Sequence, residues 1–362
     1  MSKKIGIALI GLGTVGSSVL KILRENETFF QEEYDIQFQV TFVYVRNMNK
    51  QRNLPLEGIT LTNDIEQIAE SSQVDICIEC MGGSGTEKTY DILMRLIENG
   101  KHIIMSSKKC LALYKNEFID MVSKHSVQLR YDATVGGSIP ICKMFQNLSG
   151  FDSVKRIYGI ANATTNYILT TMFQEGLNYK EALQKAKENG YAENDVSEDV
   201  EGWDALYKMC ILLRFGVGID VVPKQMLLNR VESFENLVID KALGKMKQIF
   251  YAERLSENRI GYYVGPVIVE QNTLLGDVEE KNNIIFVEHK YGGERAYYGA
   301  GAGGKETASI MVEDLIDMIT HPIQPRKAKQ GVKVEQMNFS DLLEELKCNV
   351  CQTEYMTASI LP

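Results

Sequence analysis

Residues 5–16 read Ile-Gly-Ile-Ala-Leu-Ile-Gly-Leu-Gly-Thr-Val-Gly, and the fold turns on this stretch. The apolar run over residues 4–10 predicts a first strand, and the residues on to about Arg24 carry the spacing of an amphipathic helix. Between them stand Gly11, Gly13 and Gly16. The first suits a tight turn, the second lets a pyrophosphate approach the backbone, and the third allows close helix–strand packing. The N–H groups that open such a helix lack partners within it and suit phosphate oxygens. A lone glycine trio of this kind is a weak signal, and a bare tight turn is the alternative. Set between a first strand and a first helix, it predicts an α/β, Rossmann-type doubly wound parallel sheet. Gly11, Leu12, Gly13, Thr14, Val15 and Gly16 are then the phosphate cradle.

Working outward, the next strand (37–45) ends at Arg46, where NAD-specific proteins usually carry an acid for the ribose hydroxyl. Here Arg46, Lys50 and Arg52 are basic, which suits a 2′-phosphate and favours NADP over NAD. A buried strand at 74–79 runs into Cys80-Met81-Gly82-Gly83, with a helix over 86–99; a strand at 102–105 runs into Ser106-Ser107-Lys108-Lys109. In a doubly wound sheet the carboxyl ends of the strands face the ligand. Met81, Gly82, Ser106, Ser107 and Lys109 are therefore cofactor-side candidates, and a lysine there can face the nicotinamide; a solvated lysine near a helix end is the alternative. A helix at 114–125 and a strand at 127–132 complete the alternation.

After Asp132 the periodicity changes. Ala133–Pro140 is a turn-rich link into a new helix, followed by a strand at 154–161, three helices running to Phe215, and strands at 260–270 and 284–288. The Gly-rich turn at 299–306 opens a helix over 308–319. The expected division is a dinucleotide-binding domain at 1–134 and 300–320, an α+β domain at 135–299, and a polar, weakly structured tail at 321–362 with a helix at 339–347.

The chain has 362 residues, 44% of them hydrophobic, enough for two cores. A net charge of −9 with no long basic tract argues against nucleic acid, and no apolar run approaches the ~18 residues of a membrane span. Seven scattered cysteines fit reduced thiols in the cytoplasm. Cys77 and Cys80 read as core packing, and Cys348 and Cys351 lack the further ligands of a metal site.

The densest chemistry lies in Gly190–Phe215. Asn189-Gly190 turns the chain, and acidic side chains crowd the turn (Glu188, Glu193, Asp195, Glu198, Asp199, Glu201, Asp204). A helix then begins near Asp199 or Gly202 and places Asp204 and Lys208 four apart on one face. A carboxylate, a lysine and a loop carboxylate can hold an ammonium and move a proton. The alternative is a solvated loop with a surface ion pair worth a few tenths of a kcal/mol.

Together these residues resemble the homoserine dehydrogenase family, which interconverts L-homoserine and L-aspartate 4-semialdehyde. The matches run in the family's order over roughly residues 1–320. They are Gly11–Gly16, Met81-Gly82-Gly83, Tyr131–Gly137 with Ile139-Pro140, and Gly159–Asn162 with Thr164–Thr170. Further on come Gly190–Glu193, Asp199, Gly202, Asp204 and Lys208, then Gly301–Gly303 with Thr307–Ser309.

The resemblance implies a homodimer whose second domain binds substrate and makes the subunit contact. Glu193 and Asp204 would hold the substrate amino group, with Gly190, Asn162, Thr164 and Asp199 completing the amino-acid site. Lys208 would donate and accept the proton on the reacting oxygen, with Lys109 as its partner across the crevice. Gly190, Gly301, Gly303 and Glu306 would join the cofactor site. A monovalent cation, usually sodium, would sit at Asp132, Val135, Gly137 and Ile139, mainly on carbonyl oxygens.

Four positions depart from the family pattern. Ser106-Ser107-Lys108-Lys109 stands for Thr-Ala-Asn-Lys, Asp132 for a glutamate, Asn162-Ala163-Thr164 for Asn-Gly-Thr, and Glu306-Thr307 for Pro-Thr. The 42 residues after 320 are too short for a regulatory ACT domain, so threonine feedback through one is not expected. The competing readings are a relative acting on another amino or hydroxy acid, motivated by Lys108, Ala163 and Glu306, and a catalytically silent nucleotide sensor.

Overall fold

A computed structural model of the chain describes residues 2–82, 85–148, 151–192, 195–229, 244–321 and 332–337. By contact the chain forms two compact units, 1–146 with 303–326 and 147–302 with 327–362.

The first unit begins with β1 (Lys3–Ile10), α1 (Thr14–Glu25), α2 (Glu27–Tyr34), β2 (Ile36–Tyr44), β3 (Thr60–Thr62) and α3 (Glu66–Ala69). It continues with β4 (Ile76–Glu79), α4 (Thr86–Glu98), β5 (His102–Met105), α5 (Lys108–Lys124), β6 (Leu129–Arg130), a 3-10 turn at Asp132–Thr134 and α6 (Ile141–Asn147). Its six strands are ordered β3-β2-β1-β4-β5-β6 and every pairing is parallel. The order reverses at β1, so the crevice lies outside the carboxyl ends of β1 and β4. The doubly wound sheet predicted from residues 5–16 is therefore present.

The second unit holds β7 (Val154–Ile160), α7 (Ala163–Glu175), α8 (Tyr179–Glu188), α9 (Ser197–Val200), α10 (Trp203–Ile211), β8 (Lys245–Ser256), β9 (Arg259–Val269), β10 (Asn282–His289) and β11 (Gly293–Ala300). Helix α11 (Gly304–Thr320) returns to the first unit, and β12 (Lys333–Gln336) belongs to the second. The second sheet is ordered β11-β10-β7-β8-β9-β12, antiparallel except where β12 joins β9. Helices α7 and α8 pack on it through Ile168, Leu169, Met172, Ala182 and Ala186 against Met246 and Ile268.

Three expectations change. Helix α5 begins at Lys108 and not near Tyr114: Tyr114 is a kink (φ −118°, ψ 24°) where two helical pieces join, and the apolar spacing restarts there. Strands β3, β8, β11 and β12 were not read from the sequence. Lys247 and Gln248 interrupt the apolar pattern of β8 although both are buried, and β11 is an exposed edge strand with no apolar alternation. β12 lies in the stretch expected to be weakly structured; the helix read at 339–347 lies outside the described residues. The compact units divide at 146/147, whereas the motifs drew the boundary at 134/135. Residues 135–146 pack with the first unit because the Asp132 carboxylate receives the N–H groups that open α6, Cys142 at 2.8 Å and Lys143 at 3.3 Å. Among the described residues no helix is long and apolar enough to cross a membrane.

Candidate active site

In the first unit the glycine cradle takes the shape its spacing predicts. Gly11 (φ +113°) packs so closely on the next strand that a β-carbon there would lie 2.6 Å from the Cys80 carbonyl oxygen. At Gly16 a β-carbon would lie 2.2 Å from the Gly11 carbonyl. At Gly13 it would meet nothing within 4 Å, which leaves open space over the backbone at the start of α1. Helix α1 has no side-chain cap and no acid in its first turn, so its opening N–H groups at Thr14, Val15 and Gly16 present positive potential to that space. These residues fit a dinucleotide pyrophosphate.

Glu79, which the sequence reading missed, builds the neighbouring wall. This buried carboxylate at the end of β4 accepts the N–H groups of Met81 (2.6 Å), Ser106 (3.0 Å) and Ser107 (2.9 Å). It thereby ties together the two turns assigned to the cofactor. Its one signal was an acid closing an apolar strand. Gly82 follows Met81, and Lys108 and Lys109 open α5, half-buried at the positive end of the helix dipole. Arg46 and Lys50 are exposed beyond β2, on a loop that Arg52 clamps through the carbonyls of Lys50 (2.7 Å) and Asn47 (2.8 Å).

At the expected cation site, Asp132 is the N-terminal cap of α6, and burial pushes its carboxyl up to about 7. The Ile139 carbonyl accepts the Ile141 N–H at 2.8 Å, while Gly136 (φ +81°) and Gly137 (φ +64°) turn the backbone between them. Cys77 and Cys80 are core thiols; burial raises Cys77 to about 12. Among the described residues no group of three or more His, Cys, Asp or Glu gathers as a metal site.

The second unit places a buried polar network where β7 gives way to α7. Asn162 caps α7, accepting the Thr165 N–H at 2.7 Å. Its Nδ2 donates to Asp199 Oδ1 (2.6 Å) and Asp204 Oδ2 (2.7 Å). Asp204 stands in the first turn of α10, whose N-cap Gly202 has φ +89°. One turn on, Lys208 donates to Asp204 Oδ2 at 2.8 Å and to the Ala161 carbonyl. Asp204 is 2% exposed and Lys208 6%, so this is no solvated ion pair. A buried carboxylate and a buried amine need engaged polar atoms, and Asp204 Oδ2 and Lys208 Nζ have them. Thr164 Oγ1 donates to the Tyr191 carbonyl at 2.9 Å, just past Gly190 (φ +74°), which turns the chain out of α8. Glu193 lies outside the described residues. Gly301 donates its N–H to the Lys281 carbonyl in the second unit, and Gly303 caps α11 in the first, beneath the folded-back Glu306 side chain.

The first unit thus holds a cradle of the kind that binds a dinucleotide, and the second a buried carboxylate–lysine pair able to hold and move a proton, the parts a nucleotide-dependent oxidoreductase needs. Residues 11–132 match the NAD-binding domain of homoserine dehydrogenase, and residues 140–316 match the homoserine dehydrogenase family model. The chain is 32% identical to the homoserine dehydrogenase of Bacillus subtilis, over 87% of this chain and 72% of that one. It is equally identical to that of Helicobacter pylori, over 88% and 74%. Its fold is similar to the crystal structure of a homoserine dehydrogenase from Thiobacillus denitrificans (TM-score 0.84, 30% identity, 92% of this chain and 80% of that one). The S. aureus enzyme at pH 6.5 gives a TM-score of 0.75 at 29% identity, over 96% and 87%. The chain belongs to the homoserine dehydrogenase family.

Proposed function

We propose that the chain interconverts L-homoserine and L-aspartate 4-semialdehyde with NADP as the preferred cofactor, and that Lys208 is its acid–base residue. The observation that carries this is the buried Asp204–Lys208 pair one helical turn apart, joined to Asp199 through Asn162. Asp204, with Asp199 and Glu193, holds the substrate ammonium; Lys208 then falls near the far end of a four-carbon chain, where the oxygen reacts. A bound nicotinamide supplies or takes up the hydride. When the aldehyde carbon gains hydride its oxygen becomes an alkoxide, which the Lys208 ammonium stabilises and protonates. In the oxidising direction Lys208, as the amine, takes that proton back. Lys109 is a second proton-handling lysine at the head of α5.

NADP preference rests on the exposed Arg46, whose planar guanidinium suits a 2′-phosphate. A monovalent cation at 132–139 would rest mainly on the carbonyls of Val135, Gly137 and Ile139, with Asp132 Oδ1 and the Ile139 carbonyl each also accepting backbone N–H groups at α6. The working form is a cytoplasmic homodimer formed through the second unit, whose sheet has β11 at one edge among the described residues. Neither nucleic acid nor membrane is a partner.

The deciding experiment follows absorbance of the reduced nicotinamide with homoserine and each cofactor. Lys208→Ala should lower kcat by about a hundredfold or more while cofactor binding persists. Wild-type turnover in that variant would move the proton transfer to Lys109. Arg46→Ala should raise KM for NADP far more than for NAD. Equal effects would remove its role. Sodium or potassium should raise activity if the carbonyl site is used, and sedimentation should give twice the mass of one chain.

A further inference from the structure

A primary amide has two N–H donors and one oxygen with two lone pairs. In Asn162 all four positions are engaged inside the protein. Nδ2 donates to Asp199 and Asp204, while Oδ1 faces the Thr165 N–H at 2.7 Å and the Thr165 hydroxyl at 2.8 Å. The amide can face only one way. Turned over, its oxygen would meet two carboxylate oxygens and its NH2 would meet the Thr165 N–H.

The Thr165 hydroxyl, 2% exposed, also lies 2.9 Å from Gln248 Oε1 on β8. A hydroxyl carries one hydrogen and cannot donate to two amide oxygens at once. Both contacts attract only if Thr165 donates to Asn162 and the Gln248 amide turns its NH2 towards Thr165, the two ends of an amide being close to isosteric.

We propose that Thr165, backed by Gln248, is a positioning residue for the Asp199–Asp204 carboxylates, and that the Asn162 side chain orients those carboxylates and does not bind substrate. The inference rests on the reading that Asp204 and Lys208 carry the reaction. Its donors run in one direction: Gln248 N–H to the Thr165 hydroxyl, Thr165 O–H to Asn162 Oδ1, and Asn162 N–H to both acids. Asp204 Oδ2 is thus held from one side by Asn162 and from the other by Lys208. Hydrogen bonds chained in this way strengthen one another in a buried setting. Removing the Thr165 hydroxyl leaves Asn162 Oδ1 on the backbone N–H alone and loosens the oxygen that fixes the lysine.

The test uses the full chain with Thr165→Val, Thr165→Ser and Gln248→Glu, reading kcat, KM for homoserine and cofactor, and the pH dependence of kcat/KM. Thr165→Val should lower kcat/KM for homoserine about tenfold, the size of one lost buried hydrogen bond, with KM for the cofactor unchanged. The pH profile of kcat/KM should change with it. Thr165→Ser should restore both. Gln248→Glu, which offers Thr165 an acceptor in place of a donor, should mimic the valine variant, and it decides the matter if Thr165→Val does not fold. Wild-type kcat/KM and pH profile in Thr165→Val, or a loss that serine does not restore, would overturn the inference. A wild-type chain inert towards homoserine would instead overturn the reaction on which it rests.

Discussion

Glu79 shows how much one buried side chain can organise. Charge-assisted bonds from a carboxylate to backbone N–H groups are among the stronger ones available to a protein, and Glu79 makes three across two separate turns. Glu79→Ala should destabilise the chain by about 3 kcal/mol, because three buried donors lose their partner. It should also raise KM for the cofactor, since the turns at Met81 and Ser106–Ser107 are no longer joined. Denaturant unfolding and steady-state kinetics check the two parts separately; an unchanged midpoint would show that water replaces the carboxylate. The same logic separates residues within the second unit. Asp204 and Lys208 were legible because an i,i+4 acid–lysine pair is a local pattern. The resemblance put Asn162 in the same site as these acids, but its hydrogen bonds to Asp199 and Asp204 join residues 37 and 42 positions away, which no local pattern shows.

At the scale of elements, two helices of the first unit open side by side. A β-carbon on Gly304, at the head of α11, would lie 2.5 Å from Thr14 Cγ2, at the head of α1. Glu306 folds its carboxylate over the α11 N-terminus, which stabilises that helix dipole but sets a negative charge near the cradle. Glu306→Gln should therefore lower KM for NADP, more at low ionic strength than at high, as cofactor titrations at two salt concentrations would show. Strand β8 carries the other consequence. Lys247 is buried among neutral acceptors, Asn166 Oδ1 (3.0 Å), Thr170 Oγ1 (3.5 Å) and the Val278 carbonyl, beyond the Gly159–Phe250 pair that ends the β7–β8 ladder. Burial lowers it from 10.5 to about 7, with Lys245 adding repulsion and Glu279 and Asp277 opposing. Between those values the unfolded chain binds a proton that the folded chain does not, so stability rises with pH across that window. Urea midpoints should climb from pH 7 to pH 10, and Lys247→Met should flatten that climb; an unchanged slope would assign it to other groups.

For the whole molecule, two compact units mean that ligand binding need not protect the chain evenly. Cofactor alone, at about a hundredfold its dissociation constant, should stabilise the unit that binds it by about 2.7 kcal/mol. Hydrogen exchange should slow in β1 and α1 while α7 and α10 stay as they were; equal slowing in both would show that the units unfold together. By itself the sequence determined the doubly wound first sheet, the glycine cradle, the Asp204–Lys208 pair and the family, because each is written in spacing over a few to a dozen residues. Tertiary structure alone decided that Asp132 caps α6, that Lys247 and Gln248 lie inside a sheet, and that Glu79, Asn162 and Thr165 hold the acids and turns in place. Those roles depend on which distant backbone or carboxylate a side chain meets once buried. A polar residue whose partner lies far along the chain looks, in sequence, like any residue left in water.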